Sequence, residues 1–349
     1  MSNTLLALAS KRKKLDSSNF LLFVTICLFI VMYILGIVIY HDVGFGRTQI
    51  FLNMLIDNAG LLIAASGMTM VMITGGIDIS VGSVIGLVCM ILSYGMERMG
   101  VSVLTSVLIV LVFGVVFGAF QGWLISYMEL QPFIITLAGL FGCRGITAII
   151  SSEQIAITKG ESFLAFAKVD INLPAFLGYH NRRGDLIAPF IHPSVLIAIA
   201  TVFIMWYILK YTRFGRNLYA IGGNEQSALL MGINVKKTKF IAYMLEGFLA
   251  SLAGVVFCLN TTAGFVEQAR GFEMEAISSA VIGGTMLTGG VGSVIGTIFG
   301  VLIKATIETL IRCQGTLSSW WNKIVLSVIL CFFIVLQSVI IMSKNKNKK

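Results

Sequence analysis

Long apolar stretches separated by short polar segments dominate the chain. A run of about 20 apolar residues is long enough to cross a bilayer as a helix. The sequence contains ten such stretches, at approximately residues 20–40, 50–74, 81–97, 101–127, 133–150, 193–211, 239–263, 272–290, 291–311 and 322–342. The pattern predicts an all-α polytopic membrane protein with about ten transmembrane helices, whose transmembrane domain extends from residue 20 to residue 342.

Composition points to the same class. Hydrophobic residues make up 57% of the 349 residues and charged residues only 12%, against roughly 25% charged residues in an average soluble domain. A soluble chain of this length needs more charge to cover its surface. A soluble enzyme and a nucleic-acid-binding protein are therefore excluded, and no nucleic acid is expected as a partner.

Basic residues set the predicted orientation. Ten spans place both chain ends on one side of the membrane, and cytoplasmic loops carry an excess of Lys and Arg. Fourteen of the 25 basic residues fall on one side. We therefore expect cytoplasmic segments at residues 1–19, 212–238 and 343–349, and an external loop at about 151–192. The basic tail, residues 343–349, is also suited to binding anionic membrane lipid.

A glycine-broken segment occurs twice, at residues 74–86 and 288–296. Each copy begins with Thr-Gly-Gly, at Thr74 and at Thr288, and ends with Val-Gly-Ser-Val-Ile-Gly. Glycine-interrupted apolar segments at matching places in two halves of a chain point to a transport pathway. Glycines four residues apart equally allow two helices to pack closely. The first copy differs by four inserted residues, among them Asp78.

Asp78 is the charged residue of the first copy. A carboxylate costs roughly 2.5–3.5 kcal/mol at the middle of a membrane helix but little at its boundary. We expect Asp78 to be a solvated cap near the start of the following helix, and the alternative is a deeper break at which it lines the pathway. The candidate pathway residues are Asn58, Thr74, Asp78, Ser80, Thr136 and Thr288.

The loop at residues 212–238 contains a short predicted helix. Asn224 is a favourable N-cap and Gly232 a favourable C-terminal stop, so a helix is predicted from Gln226 to Met231. This helix is too short to span the membrane and would expose apolar side chains, Ala228 among them, on the cytoplasmic side. That exposure favours a protein partner over the alternative of a helix lying on the bilayer surface.

Four segments resemble the permeases of bacterial ABC sugar importers, a family that includes the ribose, xylose, galactofuranose and autoinducer-2 systems. They are GGIDISVGS at 75–83, PFIITLAG at 132–139, the loop at 212–233, and AISSAVIGGTMLTGGVGSVIGT at 276–297. The form of the second segment, together with GTLSSWWNKI at 315–324, is most similar to a permease of the galactofuranose importer.

The resemblance implies a permease that pairs with a second permease subunit and receives substrate from an external substrate-binding protein. A separate cytoplasmic ATP-binding subunit would use ATP and Mg²⁺. The chain itself contains no Gly-Lys dipeptide and therefore no Walker A motif, so no cofactor is expected on it. The galactofuranose-like features favour a heterodimer of related permeases over a homodimer.

The resemblance also assigns the loop at 212–238 as the ATPase-coupling loop. Gly223, Ala228 and Gly232 stand at the positions that match the family's loop motif. The candidate coupling residues are Gly222, Gly223, Asn224, Ser227, Ala228, Leu229, Met231 and Gly232.

Two other classes of function are alternatives to the importer permease. An ion-coupled secondary carrier of a small polar solute needs acidic residues near the middle of a span, and Glu246 alone comes close. Lys304 and Glu308 lie four residues apart on one helix face and are expected to pair. An intramembrane enzyme needs a nucleophile–base or metal cluster, but the cysteines and histidines are scattered and neither H-E-x-x-H nor G-x-S-x-G occurs. No catalytic residue and no metal site is expected.

Overall fold

A computed structural model describes residues 17–174, 176, 178–180, 186–316, 318 and 320–346. Most of the N-terminal segment predicted at 1–19 and the last three residues of the tail predicted at 343–349 lie outside the described residues.

Helices make up most of the described chain. They are α1 (Ser17–Ile39), α2 (Thr48–Asp57), α3 (Ala59–Ile73), α4 (Val81–Glu97), α5 (Val103–Ser126), α6 (Pro132–Ile150), α7 (Glu161–Ala167), α8 (Pro193–Tyr211), α9 (Arg213–Gly223), α10 (Glu225–Leu230), α11 (Val235–Thr261), α12 (Phe272–Ile282), α13 (Val294–Gln314) and α14 (Trp320–Lys346). The two-residue strands are β1 (Ile155–Ala156), β2 (Ile171–Asn172), β3 (Tyr179–His180), β4 (Leu186–Ile187), β5 (Phe190–Ile191) and β6 (Ala263–Gly264). They pair antiparallel as β1–β6, β2–β5 and β3–β4.

The predicted all-α membrane class is confirmed, although the helices are less uniform than ten straight spans. Among the described residues, α1, α5, α6, α8, α11 and α13 are long and apolar enough to cross a membrane. The pair α2 and α3 together forms a seventh candidate, bent by 57°. Two more predicted spans contain shorter apolar helices, Val81–Glu97 and Trp320–Leu336. Length and composition therefore identify six or seven spans in the described part, fewer than the ten predicted.

The predicted continuous span at 272–290 is wrong. Its helical part, α12, ends at Ile282 after 11 residues, which cover about 16 Å at 1.5 Å per residue, roughly half of a bilayer core. The following segment contains three glycines with positive φ, Gly284, Gly289 and Gly290, a conformation that other residues rarely adopt. Because hydropathy is averaged over a window of residues, it does not detect a helix break at these glycines.

Close backbone contacts hold the centre of the bundle together, where α11 packs between α3, α4 and α5. A Cβ atom added to Gly118 of α5 would overlap the carbonyl oxygen of Tyr243, and one added to Gly247 of α11 would overlap the carbonyl oxygen of Gly114. Only glycine permits this approach, as in other membrane helix pairs. The expected packing role of the glycines spaced four apart in α5 is thus confirmed.

Loops from distant parts of the chain gather at two ends of the bundle. At the strand end, which we define by the β1–β6 pair, the carboxylate of Glu97 accepts hydrogen bonds from the backbone N–H groups of Thr158 (2.8 Å) and Lys159 (3.0 Å). The segments at this end are all predicted to be external. Which face of the membrane it occupies stays a prediction.

The break end is defined by the two glycine breaks, residues 74–80 and 283–293, together with α9 and α10. Here Lys236 forms an ion pair of 2.8 Å with Glu129, and the hydrogen bond and charge of that lysine hold the pKa of Glu129 below its usual value. The segments at the break end are all predicted to be cytoplasmic. The grouping of the loops agrees with the predicted alternation of spans.

Cysteine labelling tests the orientation. In a variant whose less buried cysteines Cys27, Cys313 and Cys331 are replaced by serine, we expect Lys168→Cys to react with a membrane-impermeant thiol reagent in intact cells. Lys237→Cys should react only after the membrane is permeabilised, because the two exposed positions lie at opposite ends of the bundle. Reaction of both variants in intact cells would contradict the predicted topology.

Candidate translocation pathway and coupling surface

The first glycine break joins α3 to α4 inside the protein. The Oδ1 atom of Asp78 accepts hydrogen bonds from the backbone N–H (2.8 Å) and the hydroxyl (2.6 Å) of Ser80, the arrangement of an Asx turn. The side chain of Asp78 is buried, with only 3% of the residue exposed. The expected solvated cap is therefore wrong, because side chains of α5 and α6 cover the turn that Asp78 forms.

Other candidate pathway residues lie around this break. The hydroxyl of Ser80 lies 3.3 Å from the carboxamide of Gln121 on α5, and the hydroxyl of Thr136 on α6 lies 3.3 Å from the carbonyl oxygen of Ile77. Thr74 is also buried, and its hydroxyl donates to the carbonyl oxygen of Val71. The structure thus brings Thr74, Asp78, Ser80 and Thr136 into one neighbourhood.

Two polar side chains of α11 border the same region. The hydroxyl of Tyr243 lies against Gly76, and the carboxylate of Glu246 lies against Gly67 of α3. Both side chains are buried, and their polar atoms have no hydrogen-bond partner among the described residues. The sequence signal for Glu246 was an isolated carboxylate within a span, but nothing local indicated that it lies against α3, the helix that leads into the first break.

The two glycine breaks contact each other. The backbone N–H of Gly290 donates to the carbonyl oxygen of Ile73 at the end of α3, at 2.9 Å. A Cβ atom on Gly289 would lie 2.8 Å from the backbone nitrogen of Gly75, and the carbonyl oxygen of Thr288 approaches the same glycine. Segments that resemble each other in sequence therefore meet in space, and Thr288 lies exposed at their junction.

The repeated hexapeptide nevertheless folds differently in its two copies. In the first copy α4 begins at Val81, whereas in the second copy α13 begins only at Val294. A tight turn holds the start of the second copy out of the helix, since the backbone N–H of Met286 donates to the carbonyl oxygen of Val291 at 3.0 Å. The same six-residue sequence therefore adopts two different local structures, because the tertiary contacts of the two copies differ.

Helix α9, which the sequence did not predict, packs directly on the end of α3 and on the second break. The hydroxyl of Tyr219 donates to the carbonyl oxygen of Gly292 at 2.9 Å. A Cβ atom on Gly222 would overlap the carbonyl oxygen of Ile73 and the backbone nitrogen of Gly290. The adjacent Gly223 differs, because a Cβ there would meet nothing within 4 Å. Gly222 therefore permits the contact of α9 with the end of α3 and with the second break.

Helix α10 follows at once and is exposed. Its predicted N-cap is confirmed, since the side chain of Asn224 accepts from the backbone N–H of Ser227 at 2.8 Å, and Gly232 follows its end with positive φ. The helix covers Glu225–Leu230, one residue earlier than predicted. The end of the helix and the residue after it expose three consecutive apolar side chains, with exposures of 55%, 90% and 67%: Leu229, Leu230 and Met231.

The predicted exposure of Ala228 is wrong. Ala228 is fully buried and packs against Ile221 of α9 and Val235 of α11. The helices on either side of α10 fold back against it, so its small side chain seats the helix within this chain. Ala228 is therefore a packing residue, whereas Leu229, Leu230 and Met231 form the exposed patch, which we call the α10 patch.

A polar cavity of about 610 Å³ opens towards the strand end, between the α2–α3 bend, the end of α11 and the helices α12 and α13. The ammonium of Lys304 on α13 lies 2.7 Å from Glu308, 3.1 Å from Glu275 and 3.1 Å from the Oδ1 atom of Asn58. The expected Lys304–Glu308 pair is confirmed. The additional partners Glu275 and Asn58 come from other helices, so no sequence spacing indicated them.

The candidate pathway residues therefore fall into two groups. Asn58 belongs to this cavity, which we call the outer cavity, whereas Thr74, Asp78, Ser80, Thr136 and Thr288 lie at the break end. Among the described residues, no group of three or more metal-ligating side chains could hold a metal ion.

Known proteins match most of the chain. A family model described as branched-chain amino acid transport system / permease component matches residues 50–334. The inner membrane ABC transporter permease protein YjfF of Escherichia coli K12 is 43% identical over 319 residues, which cover 91% of this chain and 92% of that protein.

Two further relatives carry the names of sugar importers. The fructose import permease protein FruG of Bifidobacterium longum is 33% identical, over 96% of this chain and 95% of its own length. The ribose import permease protein RbsC of Escherichia coli K12 is also 33% identical, over 82% and 84% of the two chains. No solved structure matches the chain.

Three findings agree. The chain contains helices long and apolar enough to span a membrane, its two broken segments meet beside a short exposed helix, and known permeases are similar to it along most of its sequence. The chain belongs to the family of branched-chain amino acid transport system permease components, and within it to the multi-pass inner-membrane permeases of ABC sugar importers.

Proposed function

We propose that this permease forms half of the pathway through which a monosaccharide, galactofuranose, ribose or a related sugar, enters the cytoplasm at the expense of ATP hydrolysed by another subunit. The names of the relatives, which include importers of fructose, ribose and xylose, support a monosaccharide. The observation that carries the mechanism is the direct contact of α9, at Gly222, with the end of α3 and with the second glycine break.

The α10 patch is the proposed docking surface of the ATP-binding subunit. Leu229, Leu230 and Met231 present apolar area outside the membrane-spanning helices, and burial of this area in a cleft of a partner is favourable. An amphipathic helix seated in a groove is a common mode of recognition. ATP and Mg²⁺ would be bound by that subunit, and this chain would hold no cofactor.

Movement of the docked helix would reach the pathway through α9. Asn224 joins α9 to α10 without an intervening loop, and α9 touches the end of α3 and the second break through Gly222 and Tyr219. Displacement of α10 by the ATP-binding subunit would therefore shift the two breaks together. Broken helices form the substrate site in many transporters, and access to that site changes when one group of helices moves against another.

The remaining partners follow from the same proposal. An external substrate-binding protein would deliver the sugar at the strand end, and a second, related permease would complete the pathway as a heterodimer. Anionic lipid would contact the basic tail at 343–349.

An ion-coupled secondary carrier is the alternative function. The observation in its favour is the buried carboxylate of Glu246, whose oxygens have no hydrogen-bond partner among the described residues. Such a carrier would transport without an ATP-binding subunit, which separates the two proposals experimentally.

Leu230→Glu tests the docking surface. Leu230 is 90% exposed, so the substitution leaves the fold intact, but docking would bury an uncompensated charge at a cost of about 3–5 kcal/mol. That cost weakens binding of the ATP-binding subunit at least about 100-fold, since about 1.4 kcal/mol corresponds to a factor of ten. Titration of the purified ATP-binding subunit onto the permease in detergent measures the change.

Two variants serve as controls for this titration. Leu230→Met keeps the apolar surface, and Glu308→Gln changes the opposite end of the protein, so both should bind the ATP-binding subunit as the parent chain does. Unchanged binding by Leu230→Glu would exclude the α10 patch as the docking surface.

The neighbouring glycines Gly222 and Gly223 separate docking from coupling. Gly222→Ala forces α9 away from Ile73 and Gly290, because the new Cβ has no space there. We expect this variant to retain the ATP-binding subunit but to lose most sugar transport per ATP hydrolysed. Gly223→Ala, which meets open space, should transport normally. Equal transport by the two variants would contradict transmission through α9.

Reconstitution tests the subunit composition and the energy source. Liposomes containing this permease, its related permease, the ATP-binding subunit and the binding protein should accumulate sugar only when ATP is supplied on the side of the ATP-binding subunit. Omission of the second permease should abolish transport. Full transport without it would favour a homodimer, and ATP-independent, ion-driven accumulation would favour the secondary carrier.

A further inference from the structure

The outer cavity is lined by charges that are already paired. Asp57 lies 3.2 Å from Arg312, and Glu267 lies 2.6 Å from Arg270, both towards the exposed rim. In the depth of the cavity the ammonium of Lys304 lies between two carboxylates. An anionic solute entering this cavity would therefore find the cations already occupied by carboxylates, whereas neutral hydroxyl groups could still bond to the unused lone pairs of the carboxylates.

Lys304 fixes the floor of the outer cavity. An ammonium has three N–H donors, and those of Lys304 lie within hydrogen-bond distance of three groups from three elements: Asn58 at the α2–α3 bend, Glu275 on α12 and Glu308 on its own helix. The residue is only 8% exposed. This network holds the carboxylates and the carboxamide in place before any ligand arrives, which reduces the entropic cost of binding.

The wall formed by the end of α11 adds a neutral polar group and an apolar surface. The Nδ2 atom of Asn260 donates to the carbonyl oxygen of Ile56 at 2.9 Å, so the carboxamide is oriented and its oxygen is available as an acceptor. Phe257 and Phe272 form an edge-to-face pair with ring centroids 5.5 Å apart. Such rings can cover the C–H face of a sugar, whose edge carries the hydroxyl groups.

We propose that the outer cavity is a binding site for the neutral monosaccharide before it reaches the glycine breaks, an inference that rests on the proposed function. Its volume of about 610 Å³ lies within the range of about 300–1,000 Å³ that small-molecule sites occupy. Paired charges, oriented carboxamides and an aromatic wall recognise an uncharged polyhydroxylated ring. They disfavour a phosphorylated sugar, because no unpaired cation faces the cavity among the described residues.

Site-directed cysteines test this site in the complete transporter. The background replaces the less buried cysteines Cys27, Cys313 and Cys331 by serine. Asn260→Cys and Thr261→Cys place thiols on the cavity wall, and Thr261→Cys keeps the test valid if loss of the Asn260 hydrogen bond disturbs folding. Asn53→Cys is the matched control, since Asn53 is exposed near the same end but outside the cavity.

Labelling by a membrane-impermeant methanethiosulfonate is followed in the presence of D-ribose, D-fructose, D-xylose or D-galactose, and of ribose 5-phosphate. Transport of each radiolabelled sugar is measured on the same preparations. We expect the transported sugar to slow labelling of both cavity cysteines about tenfold at ten times its Kd, because only the unoccupied fraction reacts. Labelling of Asn53→Cys should not change, and ribose 5-phosphate should protect none of the thiols.

Two outcomes overturn the proposal in different ways. Unprotected cavity cysteines in a preparation that imports the same sugar would show that the outer cavity lies off the pathway, while the proposed function stands. Protection by ribose 5-phosphate equal to that by the transported sugar would contradict selection for a neutral ligand. Failure of the parent complex to import any monosaccharide, galactofuranose included, would remove the proposed function and this site with it.

Discussion

The hydrogen bond from Gly290 to the carbonyl oxygen of Ile73 joins the second glycine break to the end of α3, and the arrangement of the break end depends on it. The last carbonyl groups of a helix have no partner within that helix. A carbonyl group that is buried from water must find its donor within the protein, because an unpaired buried acceptor costs free energy. The second break supplies this donor to the end of α3, and α9 fits against the joint because Gly222 has no side chain.

Helix α3 connects the two functional regions physically. It begins beside Asn58, whose side chain contacts Lys304 in the outer cavity, and it ends at Ile73, where the breaks and α9 meet. Every residue of α3 is buried. A short, fully buried helix transmits displacement because its close-packed surroundings do not absorb strain. A shift of α9 therefore bears on the same element that frames the proposed sugar site.

Sequence spacing predicted the contacts whose two residues lie close together in the chain. The cap of Asn224 on Ser227 and the pairing of Lys304 with Glu308 follow from spacings of three and four residues. Contacts between distant parts of the chain determined the features that the sequence did not predict. Ala228 is buried because α9 and α11 fold back on α10, and Asp78 is dry because α5 and α6 cover its turn. The similarity to known permeases identified the class, but it did not show that Glu275 and Asn58 surround one lysine.

The two copies of Val-Gly-Ser-Val-Ile-Gly differ in backbone structure, so the two halves of this protein cannot be superposed by matching their sequences. The first copy starts a helix with its first residue, and the second starts one with its fourth, at Val294. An alignment that matches the letters would superpose helical backbone at Val81 on turn backbone at Val291, almost one helical turn out of register. The sequence repeat therefore does not imply that the two segments share one backbone structure. If one copy were transplanted into the place of the other, its sequence would be unchanged, but the surrounding residues would determine its fold.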